Sequence, residues 1–171
     1  MVKLVRAAST IAGRIAQRFG KCIQTPLACL NRIAPSADSL ATGRAQTLAN
    51  LGIPSARAES LRKLARAVTR GELDLEPAAD PLAVMAQLRE LPGIGRWTAE
   101  YIAMRALHWP DAFPVGDLGL MKASRLKSAK ALEKAAGRWR PWRAYAAIHL
   151  WQSLTATRVT NHKSTSNTRI K

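Results

Sequence analysis

Apolar positions recur at helical spacing along almost the whole chain, and residues 1–152 hold no repeat and no convincing two-residue alternation. Leu4, Val5, Ala8, Ile11, Ala12, Ile15 and Phe19 form one stripe ended by Gly20, which predicts a core-facing helix over about 3–19. A loop punctuated by Pro26 and Pro35 follows, then a helix over about 38–50. Leu51-Gly52-Ile53-Pro54 reads as a tight turn, because glycine permits a positive φ and proline pre-sets the next step. Ser55 is a suitable N-cap for a helix to Arg70 with Ala58, Leu61, Leu64, Ala65 and Val68 inward, closed by Gly71. Asp80-Pro81 has the pattern of an N-cap followed by proline at the first helical position, opening a short helix that ends near Glu90. Leu91-Pro92-Gly93-Ile94-Gly95 is a hairpin turn, and the next helix spans Arg96 to about His108, stopping before Pro110. Pro141 opens the last helix, Trp142 to about Ser153, apolar nearly all round and so expected to be buried. These elements predict an all-α fold: a helical core over 1–153 and, where the apolar pattern stops, a mobile basic tail over 154–171.

Composition narrows the class. The 171 residues fit one domain, and 47% apolar residues can bury a real core, which excludes a wholly disordered chain. The longest uncharged stretch, Ala144–Thr157, is too short to span a bilayer and contains His149, Gln152 and Ser153, so no membrane partner is expected. Cys22 and Cys29 are too few for a disulfide scaffold or a four-thiolate metal site, and a reduced, intracellular chain fits best.

Charge changes the picture most. The formal net charge is +16, from 27 Lys+Arg against 11 Asp+Glu. Residues 1–70 hold 12 basic and 2 acidic side chains, residues 71–110 hold 3 and 6, and residues 111–171 hold 12 and 3. Two basic blocks around a mildly acidic centre point to a polyanionic partner, most often nucleic acid; a solvated surface is the blander reading. The acid-free first 37 residues can mimic a mitochondrial transit peptide, but their wide apolar stripe fits a core helix better.

The hairpin suggests how such a partner is held. Gly93 and Gly95 let the backbone turn sharply and let a bulky anion approach. The helix that follows presents unpaired N–H groups and a partial positive charge, and Arg96 adds a formal one. This is how a helix–hairpin–helix grips one phosphate of a DNA strand, although a plain helix–helix connection uses similar residues. Asp117, preceded by Gly116, reads by itself as an N-cap for a helix beginning near Leu118. Trp97 and Tyr101 are four apart and share one helix face, either as core aromatics or as a binding surface. Trp139, Trp142, Tyr145, His149 and Trp151 are expected in packing, with His149 partly buried. No His/Cys/acid cluster has metal-ligand spacing, and no Ser/His/Asp arrangement stands out.

Leu91-Pro92-Gly93-Ile94-Gly95-Arg96-Trp97-Thr98-Ala99-Glu100-Tyr101, followed by Phe113-Pro114-Val115-Gly116-Asp117-Leu118, strongly resembles the helix–hairpin–helix DNA glycosylase superfamily, with 3-methyladenine DNA glycosylase II as the nearest branch. Leu51-Gly52-Ile53, Ala58-Glu59-Ser60-Leu61 and Trp139-Arg140-Pro141-Trp142-Arg143 support it, and the resemblance covers about 5–152. It implies a glycosylase-like helical bundle that excises alkylated bases of the 3-methyladenine and 7-methylguanine class from double-stranded DNA, as a monomer, in the cytoplasm of a bacterium and associated with the nucleoid through DNA. It makes Asp117 the catalytic carboxylate and makes Trp97 and Tyr101 the pocket for a flipped-out base. Gly93, Gly95, Arg96 and Thr98 become the DNA backbone contacts. No cofactor is implied beyond a structural Na+ or K+ at the main-chain carbonyls of Arg89, Leu91 and Ile94. The bifunctional branch has a Schiff-base lysine where this chain has Trp97, which implies a monofunctional enzyme. The chain starts where the family's DNA-wedging loop leads into its first long helix, so an N-terminally truncated member is expected. The alternatives are an inactive helix–hairpin–helix DNA-binding protein and a basic helical protein that binds RNA or another protein.

Overall fold

Prolines, glycines and short polar side chains cut the chain into helices close to where the pattern places them. The computed structural model describes the backbone of residues 2–164 and the side chains of 6–154. In chain order the helices are α1 (Val2–Phe19), α2 (Ala37–Thr42), α3 (Ala45–Ala49), α4 (Ser55–Thr69), α5 (Pro81–Glu90), α6 (Arg96–Arg105), α7 (Leu118–Ser124), α8 (Ala129–Ala136) and α9 (Arg143–Ser164), with a 3₁₀ turn at Gly137–Trp139. Among the described residues β structure is limited to one isolated antiparallel bridge, Cys22 with Arg32. None of these helices is long and apolar enough to cross a membrane. The chain divides into two compact units, Met1–Leu75 with Ala86–Ile94, and Glu76–Met85 with Gly95–Lys171.

In the first unit α2 and α3 pack on α4, burying Ala41, Leu48, Ala58, Ala65 and Ala67. The helix expected over 38–50 is two helices, because Gly43 takes an extended conformation (φ −60°, ψ 147°). A Cβ at Gly43 would lie 2.8 Å from Phe19 Cε1, so the break is also where the ring comes against bare backbone. The Ser36 side chain accepts from Ser39 N at 3.2 Å and caps α2. Ser55 is not an N-cap as expected: Pro54 holds that position and Ser55 is the first helical residue. The stripe on α1 is less buried than its spacing predicts, with Ile11, Ile15 and Phe19 half-buried and Ala8 and Ala12 exposed.

In the second unit Asp80 Oδ1 accepts from Leu82 N at 3.0 Å, as the Asp-Pro pattern predicts. Helix α6 ends at Arg105, short of the expected His108, which instead takes a left-handed φ of 54° and turns the chain away. The sequence reading assigns no helix over 129–136; α8 forms there behind a Ser128 cap and buries Leu132 and Ala136. The last helix is not buried all round. It buries Arg143, Ala144 and Ala147 but exposes Tyr145, Ile148 and His149, with Trp142 exposed just before it. It also continues past the expected end near Ser153 to Ser164; the rest of the expected tail, 165–171, lies outside the described residues.

Leu48 is fully buried whereas Leu82 is 61% exposed. Urea unfolding should therefore show Leu48→Ala losing about 2–5 kcal/mol and Leu82→Ala losing about 0.5 kcal/mol or less.

Candidate active site

The segment between α6 and α7 positions Asp117. Glu100 Oε2 on α6 accepts from Phe113 N at 2.9 Å, and Phe113 and Pro114 are fully buried. Asp117 N then donates to Pro114 O at 3.1 Å, across a turn in which Gly116 has a φ of 88°. Asp117 has extended backbone geometry and caps α7, its Oδ1 accepting from Leu120 N at 2.8 Å.

The cap does not exhaust the carboxylate. Oδ2 accepts from Trp97 Nε1 at 3.1 Å, and Oδ1 accepts from Trp151 Nε1 at 2.9 Å. An ionised carboxylate offers about four acceptor sites, so three N–H donors orient it and leave room for one more partner. None of the donors carries a formal charge, so they orient the carboxylate without neutralising it.

Trp97 and Tyr101 stack with centroids 5.4 Å apart and planes 14° apart, and Trp151 lies 6.0 Å from Tyr101 at 55°. Trp97 is 41% and Tyr101 38% exposed, so they are not a core pair. The buried face of α6 is the other one, through Ala99 and Ala103. Trp151 corrects the sequence reading, which groups it with packing residues. The signal was its residue type: a half-buried indole needs an acceptor for its N–H, and Asp117 supplies one. His149 is exposed rather than partly buried, and Trp142 and Tyr145 are surface aromatics in an edge contact at 5.7 Å. Trp139 does pack as expected, edge-on to Phe113 at 6.0 Å.

The hairpin residues divide in role. Gly93 has a φ of 87°, and a Cβ there would collide with Ser60 Oγ, so glycine is dictated twice over. Gly95 is the N-cap of α6, makes no side-chain cap and meets nothing where a Cβ would stand. Arg96 pairs with Glu133 of α8, both side chains half-exposed, and Thr98 is half-buried in the first turn. The Leu91 carbonyl accepts from Ile94 N at 3.1 Å, which leaves it a second lone pair. Arg89 is in the last turn of α5, where helical carbonyls lack an intrahelical partner. Among the described residues no group of three His, Cys, Asp or Glu could hold a metal ion.

No family model matches the chain. A probable bifunctional transcriptional activator/DNA repair enzyme AlkA of Mycobacterium tuberculosis H37Rv is 39% identical over 153 residues, covering 87% of this chain and 30% of that protein. DNA-3-methyladenine glycosylase 2 of Escherichia coli K12 is 34% identical over 149 residues, 86% of this chain and 51% of the relative. The solved 3-methyladenine DNA-glycosylase of Archaeoglobus fulgidus superposes with a TM-score of 0.72 at 25% identity, over 85% of this chain and 51% of that one. These matches make the chain similar to members of the helix–hairpin–helix DNA glycosylase superfamily over most of its length. The chain spans about a third to a half of the length of these relatives. The segment that carries the resemblance runs through α5, the turn at 91–95 and α6, and the all-α architecture is shared with the solved structures it matches.

Gly93→Ala should lower stability by about 1–3 kcal/mol, because it combines a strained φ with a steric clash. Gly95→Ala, with open space and an ordinary φ, should lose about 1 kcal/mol or less. Thermal melts of the two variants check the order.

Proposed function

We propose that this chain is a monofunctional DNA glycosylase acting on alkylated bases of the 3-methyladenine and 7-methylguanine class in duplex DNA. The observation that carries the reading is Asp117, held by two indole N–H groups beside a partly exposed stack of electron-rich rings. The names of the relatives support the same substrate class.

In this reading the damaged nucleotide leaves the base stack, at a cost of a few kcal/mol that is smaller for a lesion. Its cationic base lies against Trp97 and Tyr101, whose ring faces attract positive charge by about 0.5–2 kcal/mol. As the N-glycosidic bond breaks, its electron pair leaves with the base and cancels the base's positive charge. Positive charge then develops at the deoxyribose C1′, where the Asp117 carboxylate stabilises it. Water adds to C1′ and loses a proton, giving free base and an abasic site. A base that already carries positive charge needs little help to leave, so one carboxylate suffices where sugar hydrolases use two. Trp97 follows Gly95-Arg96, so no amine stands there to form a Schiff base and cut the strand.

Arg96, Thr98 and the open N-terminus of α6 at Gly95, reached through the Gly93 turn, hold a backbone phosphate. Glu133 is the one acid in residues 118–171, against 12 bases, and it occupies Arg96, so a phosphate has to displace it. A Na+ or K+ at the carbonyls of Arg89, Leu91 and Ile94 would add positive charge to the turn. The reading carries duplex DNA as partner, a monomeric state and a cytoplasmic location with the DNA.

Release of 7-methylguanine from methylated duplex DNA, followed by mass spectrometry, tests the reading. Asp117→Asn should cut the single-turnover rate by about 100-fold or more with DNA affinity retained. Absence of release by the wild type rejects it in favour of an inactive DNA-binding protein, and an undiminished rate in the variant rejects Asp117 as the catalytic carboxylate. Arg96→Ala should weaken duplex binding and lower the log–log salt slope by about one, whereas Glu133→Gln should strengthen binding at low salt.

A further inference from the structure

Asp117 is only as well placed as the segment that carries it, and that segment is tied down at its start by a buried ion pair. Asp111 and Arg143 are both buried, at 7% and 8% exposure. The guanidinium grips the carboxylate with both prongs, Nε to Oδ1 at 2.6 Å and Nη2 to Oδ2 at 2.8 Å. Arg140, largely in solvent, adds Nη1 to Oδ2 at 3.1 Å. The backbone repeats the tie, with Ala144 N donating to Pro110 O at 2.9 Å and Trp109 N to Ala103 O at 3.0 Å. Glu100 fastens the same segment to α6 through Phe113 N. The two helices so joined, α6 and α9, are the two that aim indole N–H groups at Asp117. Arg143 lies near the start of α9, and Trp151 lies two turns further along it.

We infer that Arg143, acting through Asp111, is a positioning residue for base excision: it sets the register of the 109–117 segment against α6 and α9 so that Asp117 receives both indoles at once. A planar fork fixes direction as well as distance. A point-like ammonium holds the charge balance without the direction. The inference rests on the proposed glycosylase activity for its kinetic arm only; its geometric arm stands without it.

The experiment uses the full chain with lysine at this position, Arg143→Lys, where Arg140 still partners Asp111. Two readouts are taken. The first is the single-turnover rate of base release and the duplex dissociation constant. The second is the ¹H–¹⁵N spectrum of the five indole N–H groups, assigned by Trp→Phe variants, with Asp117→Asn marking where the Trp97 and Trp151 signals go when the carboxylate is lost. A positioning role predicts a rate lower by about 10- to 100-fold, a dissociation constant within about twofold, and Trp97 and Trp151 signals displaced toward their Asp117→Asn positions in a folded protein. An unchanged rate with both indole signals unmoved overturns it, as does a rate loss that merely follows the unfolded fraction. If Arg143→Lys does not fold, Glu100→Ala carries the same readouts with Glu100→Gln, which keeps an acceptor for Phe113 N, as the rescue. Equal behaviour of those two overturns the claim that bracing this segment matters. A wild type that releases no base rejects the activity, and the indole signals then decide the positioning claim alone.

Discussion

One carboxylate accepting from three separate places is the constraint on which the rest of this site depends. The Leu120 amide is local, but Trp97 and Trp151 are 20 and 34 residues away in sequence, on α6 and α9. Each indole has a single N–H and must point it, so both helices have to stop rotating at one setting. The stacked pair of Trp97 and Tyr101 follows from that setting, because aiming Trp97 at Asp117 turns the 97/101 face outward and leaves the 99/103 face for the core. The same bonds that orient the carboxylate also fix the rings, so the charge and the aromatic surface form one rigid group.

Holding a charge in place without neutralising it is what a site for a cationic reaction centre requires. A carboxylate paired with Arg or Lys would already have spent its field. Here three arginines of this unit are committed elsewhere. Arg143 and Arg140 are on Asp111, and Arg96 is on Glu133. Asp111 and Asp117 thus divide the work along one short segment, the first taking the guanidinium groups and the second facing the rings. In the proposed reaction the strongly basic surface acts at long range on the DNA backbone, while the acid acts at short range on the sugar.

Much of this was legible in the order of residues. Helices α1, α4 and α5 lie within a residue or two of their expected bounds, because Gly20, Gly71 and Asp80-Pro81 are strong local punctuation. Asp117, Trp97 and Tyr101 come together as their motif implies. What stayed hidden depended on distant partners. Gly43 breaks a helix where the Phe19 ring approaches, and no local signal announces that approach. The last helix reads as apolar nearly all round, yet its first turn points Tyr145 outward and buries the charged Arg143, a burial that Asp111 makes tolerable. Trp151 looked like packing for the same reason: its acceptor lies far away in the chain.

The most direct test of the central claim asks whether Asp117 recognises positive charge at the sugar. Binding is compared for two duplexes, one with a neutral abasic-sugar analogue and one with a cationic analogue that mimics the charge developing at C1′. The account predicts that the wild-type chain prefers the cationic duplex by about 10-fold or more and that Asp117→Asn loses this preference while binding the neutral duplex as before. Equal affinity of the wild type for both duplexes, or a preference that survives in Asp117→Asn, would contradict it.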